Sequence, residues 1–454
     1  MRIIVAIIAT LAVLVGSIVL WAGSAEMPEA WNPPAPPAAL SETPGDFTID
    51  VRPLRATIDQ PVIINVSGVA ANEVVVLRSW TQDANGLRFD SWARFEADSS
   101  GHVDTAVMLP LEGTYRAIDP AGLLWSMRTS DADVYESSGT ESRYHISAET
   151  MHGVVEVAIT RLNPRFEMEP QSISTDLVDG QFWMPPSEAE TLPAVIRLHG
   201  SEGMFNPTRS ALLASNGFAV LDLRYVNPEG LPEIVEVPVE LVRHGVDWLV
   251  AHPRVDATRI GVYGGSKGAE LALYAATKDP RLRAVVAWSP GSVVFEGVSF
   301  SALAPGSSWS WRGEPSAYAP FHAGTLETLR HLTRVLFRNV AMGWIYARAL
   351  DRAPPEAAIQ VEEIAGAILL LAGEDDRMWP SARMSRTLDE RLTRNQHPRH
   401  EMVLYENTGH RMRYALWPDL HQPSSIVGGG RPEDNHIAGR DGWQRIKEFL
   451  RREL

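Results

Sequence analysis

The sequence of 454 residues contains no cysteine. This absence excludes disulfide bonds, thiolate metal sites and a cysteine nucleophile. Basic residues are also scarce, because 41 Lys and Arg stand against 56 Asp and Glu and give a formal net charge of −15 at pH 7. A chain with that balance has no basic stripe to displace counterions from phosphates, so we expect no nucleic-acid partner. Hydrophobic residues at 45% and charged residues at 21% are typical of a folded globular protein.

The N-terminal segment Ile3–Ala25 carries no charged residue. An apolar run of about 20 residues can cross a bilayer as one helix, so the segment predicts an uncleaved membrane anchor. A secretory signal peptide cut at Gly23-Ser24-Ala25 is the alternative. Arg2, which precedes the run, favours placement of the rest of the chain outside the cytoplasm. We therefore expect a membrane-anchored or exported protein whose folded body is extracytoplasmic.

Composition divides the rest of the chain into three parts. Residues 26–45 are rich in proline, which fixes φ, and are expected to form an extended linker. Residues 46–160 contain short β-branched and aromatic runs separated by turn formers such as Asn85-Gly86, which predicts an immunoglobulin-like β-sandwich. In residues 161–454 apolar strands alternate with helices, and this predicts an α/β-hydrolase domain with a parallel sheet. Residues 291–360 interrupt that alternation as a lid-like insertion.

The sequence Gly264-Gly265-Ser266-Lys267-Gly268 stands between a strand predicted over 259–265 and a helix predicted over 266–278. A GxSxG sequence at such a turn is typical of a nucleophile elbow, in which a strained turn lifts the serine hydroxyl above the sheet. Glycine is needed two residues before and after the serine, because side chains there would collide. The helix N-terminus beneath the serine favours developing negative charge. The motif predicts that Ser266 is a catalytic nucleophile.

Two further residues follow in the chain order Ser, Asp, His that is expected for the partners of such a nucleophile. Asp376 closes an apolar strand predicted over 367–376 and could orient an imidazole, with Asp375 as the alternative. His410 follows the last predicted strand and is the predicted general base. A metal site at Glu374, Asp375 and Asp376 is a competing interpretation, but no histidine cluster accompanies it and a solvated acidic turn is favoured. A helix over 441–454 is expected to close the chain.

An oxyanion hole needs two backbone N–H donors, one after the nucleophile and one in the loop after an early strand. Lys267 is expected to supply the first donor. The segment His199-Gly200-Ser201-Glu202-Gly203 is expected to supply the second, with Ser201 preferred and Glu202 close behind. Serine acyl transfer needs neither a metal nor a cofactor, so none is implied.

Several segments resemble one known family, the acyl-CoA thioester hydrolases and bile-acid-CoA:amino-acid N-acyltransferases. They are DQPVIINVSGVAANEVVVLRS, IDPAGLLWSM, LLASNGFAVLDLRY, GGSKGAELAL, VEEIAGAILLLAGEDDRMWPS, NTGH and GGGRPEDNHIAGRDGW. The resemblance covers most of residues 48–452. It implies that Ser266 is the nucleophile, Asp376 the acid and His410 the base. In this family the transferases use cysteine and the thioesterases serine, so Ser266 implies hydrolysis of acyl-CoA to a fatty acid and CoA.

Three hypotheses about function follow. The first is a membrane-anchored or exported serine hydrolase that acts on small-molecule acyl thioesters. The second is an extracytoplasmic carboxylesterase or peptidase-like hydrolase with the same triad. The third is a binding protein whose hydrolase domain is inert, and the intact, correctly ordered Ser, Asp and His argue against it.

Overall fold

A computed structural model of the chain describes residues 33–131, 135–137, 139–226, 233–299, 306–321, 342–411, 413–418 and 428–454. The predicted membrane anchor or signal peptide, residues 1–25, lies outside these residues. So do residues 26–32 of the predicted linker and parts of the predicted insertion. Within the described ranges no helix is both long enough and apolar enough to cross a bilayer.

The first domain consists of two sheets that enclose one apolar core. The smaller sheet has the strand order β1-β3-β6 and the larger one β2-β9-β8-β4-β5-β7. Strands β4 and β5 pair antiparallel around the turn at Asn85-Gly86, as the sequence predicts. The elements are β1 (Thr48–Arg52), β2 (Arg55–Thr57), β3 (Ile63–Ser67), β4 (Val74–Gln82), β5 (Arg88–Glu96), β6 (His102–Asp104), β7 (Glu112–Gly113), α1 (Gly122–Trp125), β8 (Glu141–Thr150) and β9 (Gly153–Leu162).

The later part of the predicted linker lies against this first domain. The Arg78 guanidinium donates to the carbonyl oxygens of Pro37 at 2.8 Å and Ala38 at 3.2 Å. Farther along, the Val154 amide donates to the Thr43 carbonyl at 2.9 Å. Residues 37–45 are thus hydrogen-bonded to the sandwich and form part of its surface.

The second domain is built on an eight-stranded sheet with the order β10-β11-β13-β12-β15-β16-β19-β20. The first two strands are antiparallel to their neighbours, and the other six run parallel. This order is that of an α/β-hydrolase. The strands are β10 (Gln171–Ser174), β11 (Asp179–Trp183), β12 (Leu192–Leu198), β13 (Ala219–Leu223), β14 (Val237–Pro238), β15 (Val255–Gly265), β16 (Leu282–Trp288), β17 (Trp309–Trp311), β18 (Glu314–Pro315), β19 (Ala367–Gly373) and β20 (His400–Tyr405).

Helices cover both faces of the eight-stranded sheet. They are α2 (Pro207–Ser215), α3 (Glu240–Ala251), α4 (Lys267–Ala276), α6 (Ser381–Arg394) and α7 (Pro432–Glu453), whereas α5 (Gly343–Asp351) packs in the predicted insertion. Side chains of α3, α4 and α6 pack into the core on one face, and those of α2 and α7 into the core on the other. Because both faces are buried, the central strands are apolar throughout, as in β19, whose residues are all buried.

The described part of the predicted insertion packs onto this domain beside the carboxyl end of the sheet. Strand β17 pairs with β14 and β18 in a separate three-stranded sheet. Val293, Phe295, Ala319 and Tyr346 form an apolar cluster with Trp379, which follows β19. The insertion is therefore joined to the segment that carries the predicted acid, Asp376.

Candidate active site

Ser266 occupies the turn between β15 and α4, with φ of 56° and ψ of −123°. Few residues other than glycine adopt a positive φ, so the turn is strained. A Cβ at Gly264 would lie 2.0 Å from the carbonyl oxygen of Gly268, and one at Gly268 would lie 2.2 Å from the carbonyl oxygen of His199. Both glycines are required because backbone segments meet at these two points.

The turn is held by hydrogen bonds of the Ser266 backbone. Its N–H donates to the carbonyl oxygen of Trp288 at the end of β16, at 2.9 Å. Its carbonyl oxygen accepts from the amides of Ala269 and Glu270, which begin α4. The neighbouring strand and the first turn of the helix therefore stabilise the strained backbone conformation of Ser266.

The structure brings Ser266, His410 and Asp376 together from three separate segments. The Ser266 Oγ lies 3.0 Å from His410 Nε2, and His410 Nδ1 lies 2.8 Å from Asp376 Oδ2. The Asp376 side chain is 1% exposed and that of His410 is 9% exposed. Asp376 Oδ1 also accepts from the amides of Met378 and Trp379, and Oδ2 accepts from the Ser381 hydroxyl. These bonds keep the carboxylate aimed at the imidazole.

The three adjacent carboxylates of the 374–376 turn face different partners. Asp375 accepts from Arg377 Nε at 3.0 Å and from the Gly430 amide at 2.9 Å. Glu374 pairs with Arg386. The His410 partner is thus Asp376 and not the alternative Asp375. In the part of the chain that the structure describes, no three potential ligands lie close enough to share a metal ion.

The two segments predicted to form the oxyanion hole lie side by side. Lys267 begins α4, directly after Ser266. A Cβ at Gly200 would lie 3.4 Å from the Gly265 carbonyl oxygen, so the turn after β12 contacts the elbow. Ser201 is exposed in that turn. The Glu202 carboxylate folds back and accepts a hydrogen bond from the Gly200 amide at 3.0 Å.

His199 supports this turn, a role that the sequence analysis missed. Its Nδ1–H donates to the Gly200 carbonyl at 2.7 Å, and its ring stacks on Tyr225 at a centroid distance of 3.8 Å. The Tyr225 hydroxyl donates to the His199 carbonyl at 2.6 Å. Burial lowers the pKa of His199 to about 4, so the ring is neutral at pH 7. A histidine–glycine pair at the end of β12 and a tyrosine just after β13 were the available sequence signals.

A buried ion pair next to Ser266 was also missed. Lys267 Nζ donates to both carboxylate oxygens of Glu270 at 2.8 Å and to the Ser308 hydroxyl at 2.7 Å. Glu270 Oε1 accepts from the Phe295 amide and from Trp309 Nε1. Burial lowers the pKa of Lys267 and raises the pKa of Glu270. The pair joins the first turn of α4 to the insertion, and its sequence signal is a lysine and a glutamate at i and i+3 in an apolar helix.

An aromatic cluster flanks His410, the predicted base. The Trp379 ring meets the His410 ring edge to face at 6.0 Å. Trp379 also contacts Phe295 at 5.7 Å and Tyr346 at 5.4 Å, and Phe321 packs against Tyr346 at 4.9 Å. One side of the candidate site is therefore apolar.

Comparison with known proteins identifies the family. Residues 59–172 match the family model of the acyl-CoA thioester hydrolase/BAAT N-terminal region, and residues 237–454 match that of the BAAT/acyl-CoA thioester hydrolase C-terminal region. The mouse protein acyl-coenzyme A thioesterase 5 is 28% identical over 87% of this chain and 94% of its own length. The human protein acyl-coenzyme A thioesterase 1 is 27% identical over 88% and 95%.

Among solved structures, the carboxyl esterase 2 of the fungus Tuber melanosporum aligns with 63% of this chain and 88% of its own, at 17% identity and a TM-score of 0.40. The two family models match the two domains in the order in which they follow along the chain. This protein belongs to the acyl-CoA thioester hydrolase/BAAT family.

Proposed function

We propose that this protein is a serine hydrolase that cleaves acyl thioesters, acyl-CoA being the substrate class, to a carboxylic acid and a thiol. The observation that carries the proposal is the hydrogen-bonded chain from Asp376 through His410 to Ser266 at a strained elbow. Membership of the family supports a thioester as the bond that is cleaved. The apolar cluster beside His410 supports an apolar acyl group.

In the acylation step, Ser266 Oγ attacks the thioester carbonyl carbon while His410 Nε2 accepts the hydroxyl proton. The carbonyl oxygen becomes an oxyanion, and the backbone amides of Lys267 and Ser201 are its proposed donors. The carbon–sulfur bond then breaks, and the proton on His410 passes to the departing sulfur. Asp376 accepts from Nδ1, which keeps the reactive tautomer and stabilises the imidazolium.

In the deacylation step, His410 Nε2 takes a proton from a water molecule that attacks the acyl-Ser266 ester. The second tetrahedral intermediate collapses, Ser266 Oγ leaves as the hydroxyl after receiving the proton from His410, and the carboxylic acid is released. The step consumes one water molecule and needs no cofactor.

The first test measures thiol release from a panel of acyl-CoAs by the full chain. Because the chain contains no cysteine, a thiol reagent reports only the released CoA. Ser266→Ala is expected to reduce kcat by about 10³-fold or more, since the nucleophile is lost. Persistent thiol release by folded Ser266→Ala would contradict the proposal.

A carboxylesterase or peptidase-like hydrolase with the same triad is the second candidate. It is favoured by the uncharged segment Ile3–Ala25, from which we propose a membrane-anchored or exported protein with an extracytoplasmic catalytic domain. Coenzyme A thioesters are cytosolic, so that placement favours another ester or thioester. Cleavage of simple aryl esters that depends on Ser266, without any release from acyl-CoA, would favour this candidate.

The first domain is proposed to be an immunoglobulin-like sandwich that carries no reacting group. His145 stacks on Trp80 at 4.0 Å and bonds Glu156, while His102 and His152 are exposed. None of these histidines lies beside a nucleophile, so the chemistry is assigned to the second domain.

A further inference from the structure

The catalytic histidine lies on a loop whose near side is held by the second domain. The His410 amide donates to the Gly428 carbonyl at 2.8 Å, and the Gly409 amide donates to Asn435 Oδ1 at 2.7 Å. Asn435 belongs to α7, so this helix contacts the residue directly before the base. These bonds fix the chain up to His410.

On its far side the same loop enters the first domain. Leu416, six residues after His410, is 0% exposed and packs in the core of the β-sandwich. Its N–H donates to the Ile58 carbonyl at 2.7 Å, and its carbonyl oxygen accepts from the buried Tyr144 hydroxyl at 3.3 Å. Side chain, amide and carbonyl of one residue are thus all held by the other domain.

Helix α7 makes the same connection through buried charge. The Asp59 carboxylate of the first domain accepts from Trp443 Nε1 at 2.8 Å and from Lys447 Nζ at 2.6 Å. Asp119 pairs with Arg440 at 2.6 Å. Both acids are buried, so separating either one from its cation would leave an uncompensated charge. These contacts therefore fix α7, the helix that bears Asn435, against the sandwich.

We propose that the β-sandwich positions the catalytic base, by anchoring Leu416 in its core and thereby holding the loop that carries His410. The inference rests on the proposed role of His410. A general base must lie within hydrogen-bond reach of the hydroxyl that it deprotonates, and a displacement of about 1 Å can cost about 10²-fold in rate. Leu416 and Tyr144 are therefore positioning residues, which act through His410 and touch no reacting atom.

The test replaces Leu416 in the full chain. Leu416→Ala is expected to lower kcat by about 10- to 100-fold with KM within threefold of the parent value, because the base moves while the substrate site stays. Leu416→Met keeps the side-chain volume, so its kcat is expected to stay within threefold of the parent value. Tyr144→Phe removes the hydroxyl that bonds the Leu416 carbonyl and keeps the core filled, so it serves where Leu416→Ala fails to fold, with an expected kcat loss of about threefold.

The matched control is Leu77→Ala, which deletes the same side chain from the same core at a residue of β4 that is also fully buried. It is expected to lower stability without lowering kcat. Equal kcat values for the folded Leu416→Ala and Leu77→Ala variants would overturn the proposal.

The rate at which a fluorophosphonate labels Ser266 separates this proposal from the proposed substrate. If the parent protein labels at Ser266 but releases no CoA, the thioesterase proposal fails. The positioning proposal is then judged by the rate of Ser266 labelling as a function of pH. Leu416→Ala must lower the maximal labelling rate at high pH, and Leu77→Ala must not. A parent protein that does not label at all would overturn both proposals.

Discussion

At the scale of single residues, the adjacent carboxylates Asp375 and Asp376 have different partners and different burial, with side chains that are 39% and 1% exposed. Asp376 bonds His410 Nδ1 and is capped by the amides of Met378 and Trp379. Asp375 instead accepts hydrogen bonds from Arg377 and from the Gly430 amide. The distinction comes from the backbone path of the turn after β19, which composition does not reveal.

This distinction predicts opposite outcomes for two isosteric substitutions. Asp376→Asn is expected to lower kcat by about 10³- to 10⁴-fold, because an amide favours the wrong imidazole tautomer and leaves the imidazolium unstabilised. Asp375→Asn is the matched control, with an expected loss of less than about tenfold. Steady-state thioester hydrolysis measures both, and a larger loss at Asp375 would reverse the assignment.

His199 predicts a pH dependence of stability. Its pKa in the folded chain is about 4, whereas an unfolded histidine titrates near 6.5. Below pH 6.5 the unfolded state binds the extra proton, so His199 contributes its full stability above that pH and loses it as pH falls towards 4. The expected loss in the free energy of unfolding is about 3 kcal/mol.

Urea unfolding of the parent and of His199→Gln between pH 7.5 and 4 checks this expectation. Because other groups titrate in both proteins, the informative quantity is the difference between them. The stability advantage of the parent should shrink as pH falls, and a difference that stays constant over the range would mean that folding leaves the pKa of His199 near its unfolded value.

At the scale of elements, the closing helix α7 begins earlier than the sequence analysis predicts. The expected helix covered 441–454, whereas the structure has Pro432–Glu453. Pro432 at the first turn and the acidic Glu433 and Asp434 were available start signals. Gly439 lies between these signals and the predicted start, and glycine disfavours helix interiors when tertiary contacts are unknown.

Two glycines of α7, Gly439 and Gly442, predict different effects of the same substitution. A Cβ at Gly439 would lie 1.9 Å from the Arg413 carbonyl oxygen, so Gly439→Ala must push the helix away from the loop that follows His410. We expect it to cost about 1–3 kcal/mol in the free energy of unfolding. Gly442→Ala is the control in the same helix, since its Cβ would meet only ordinary contacts at 3.4 Å or more.

Gly442→Ala is expected to be neutral or to stabilise by up to about 1 kcal/mol, through helix propensity. Urea denaturation followed by circular dichroism compares the two variants. Equal stabilities would mean that the approach of α7 to Arg413 is looser than the structure has it.

At the scale of the whole molecule, the two domains are joined by buried polar contacts as well as by Leu416. Lys447 and Asp59 are 1% and 0% exposed at the side chain and lie 2.6 Å apart across the boundary. Lys447→Met would leave the Asp59 carboxylate buried without its cation, at an expected cost of about 3–5 kcal/mol in the free energy of unfolding.

The control for Lys447→Met is the exposed pair Arg52 and Asp50, where Arg52→Met is expected to change the free energy of unfolding by less than about 1 kcal/mol.

Tryptophan fluorescence and circular dichroism should report one common unfolding transition in the parent, because each domain is held by the other. Separate transitions in the parent protein would contradict the coupling.

The sequence alone determined that a β-strand domain precedes an α/β-hydrolase domain and that Ser266 stands between a strand and a helix, and it predicted His410 as the base. These follow from local rules: strand and helix periodicity, the glycines of a strained turn, and the chain order of a triad. Tertiary structure decided the rest, because the partner of His410, the buried Lys267–Glu270 pair and the burial of Leu416 depend on atoms brought together from distant parts of the chain. Such pairings leave no periodicity in the sequence, and only the packed fold supplies the distances that distinguish Asp376 from Asp375.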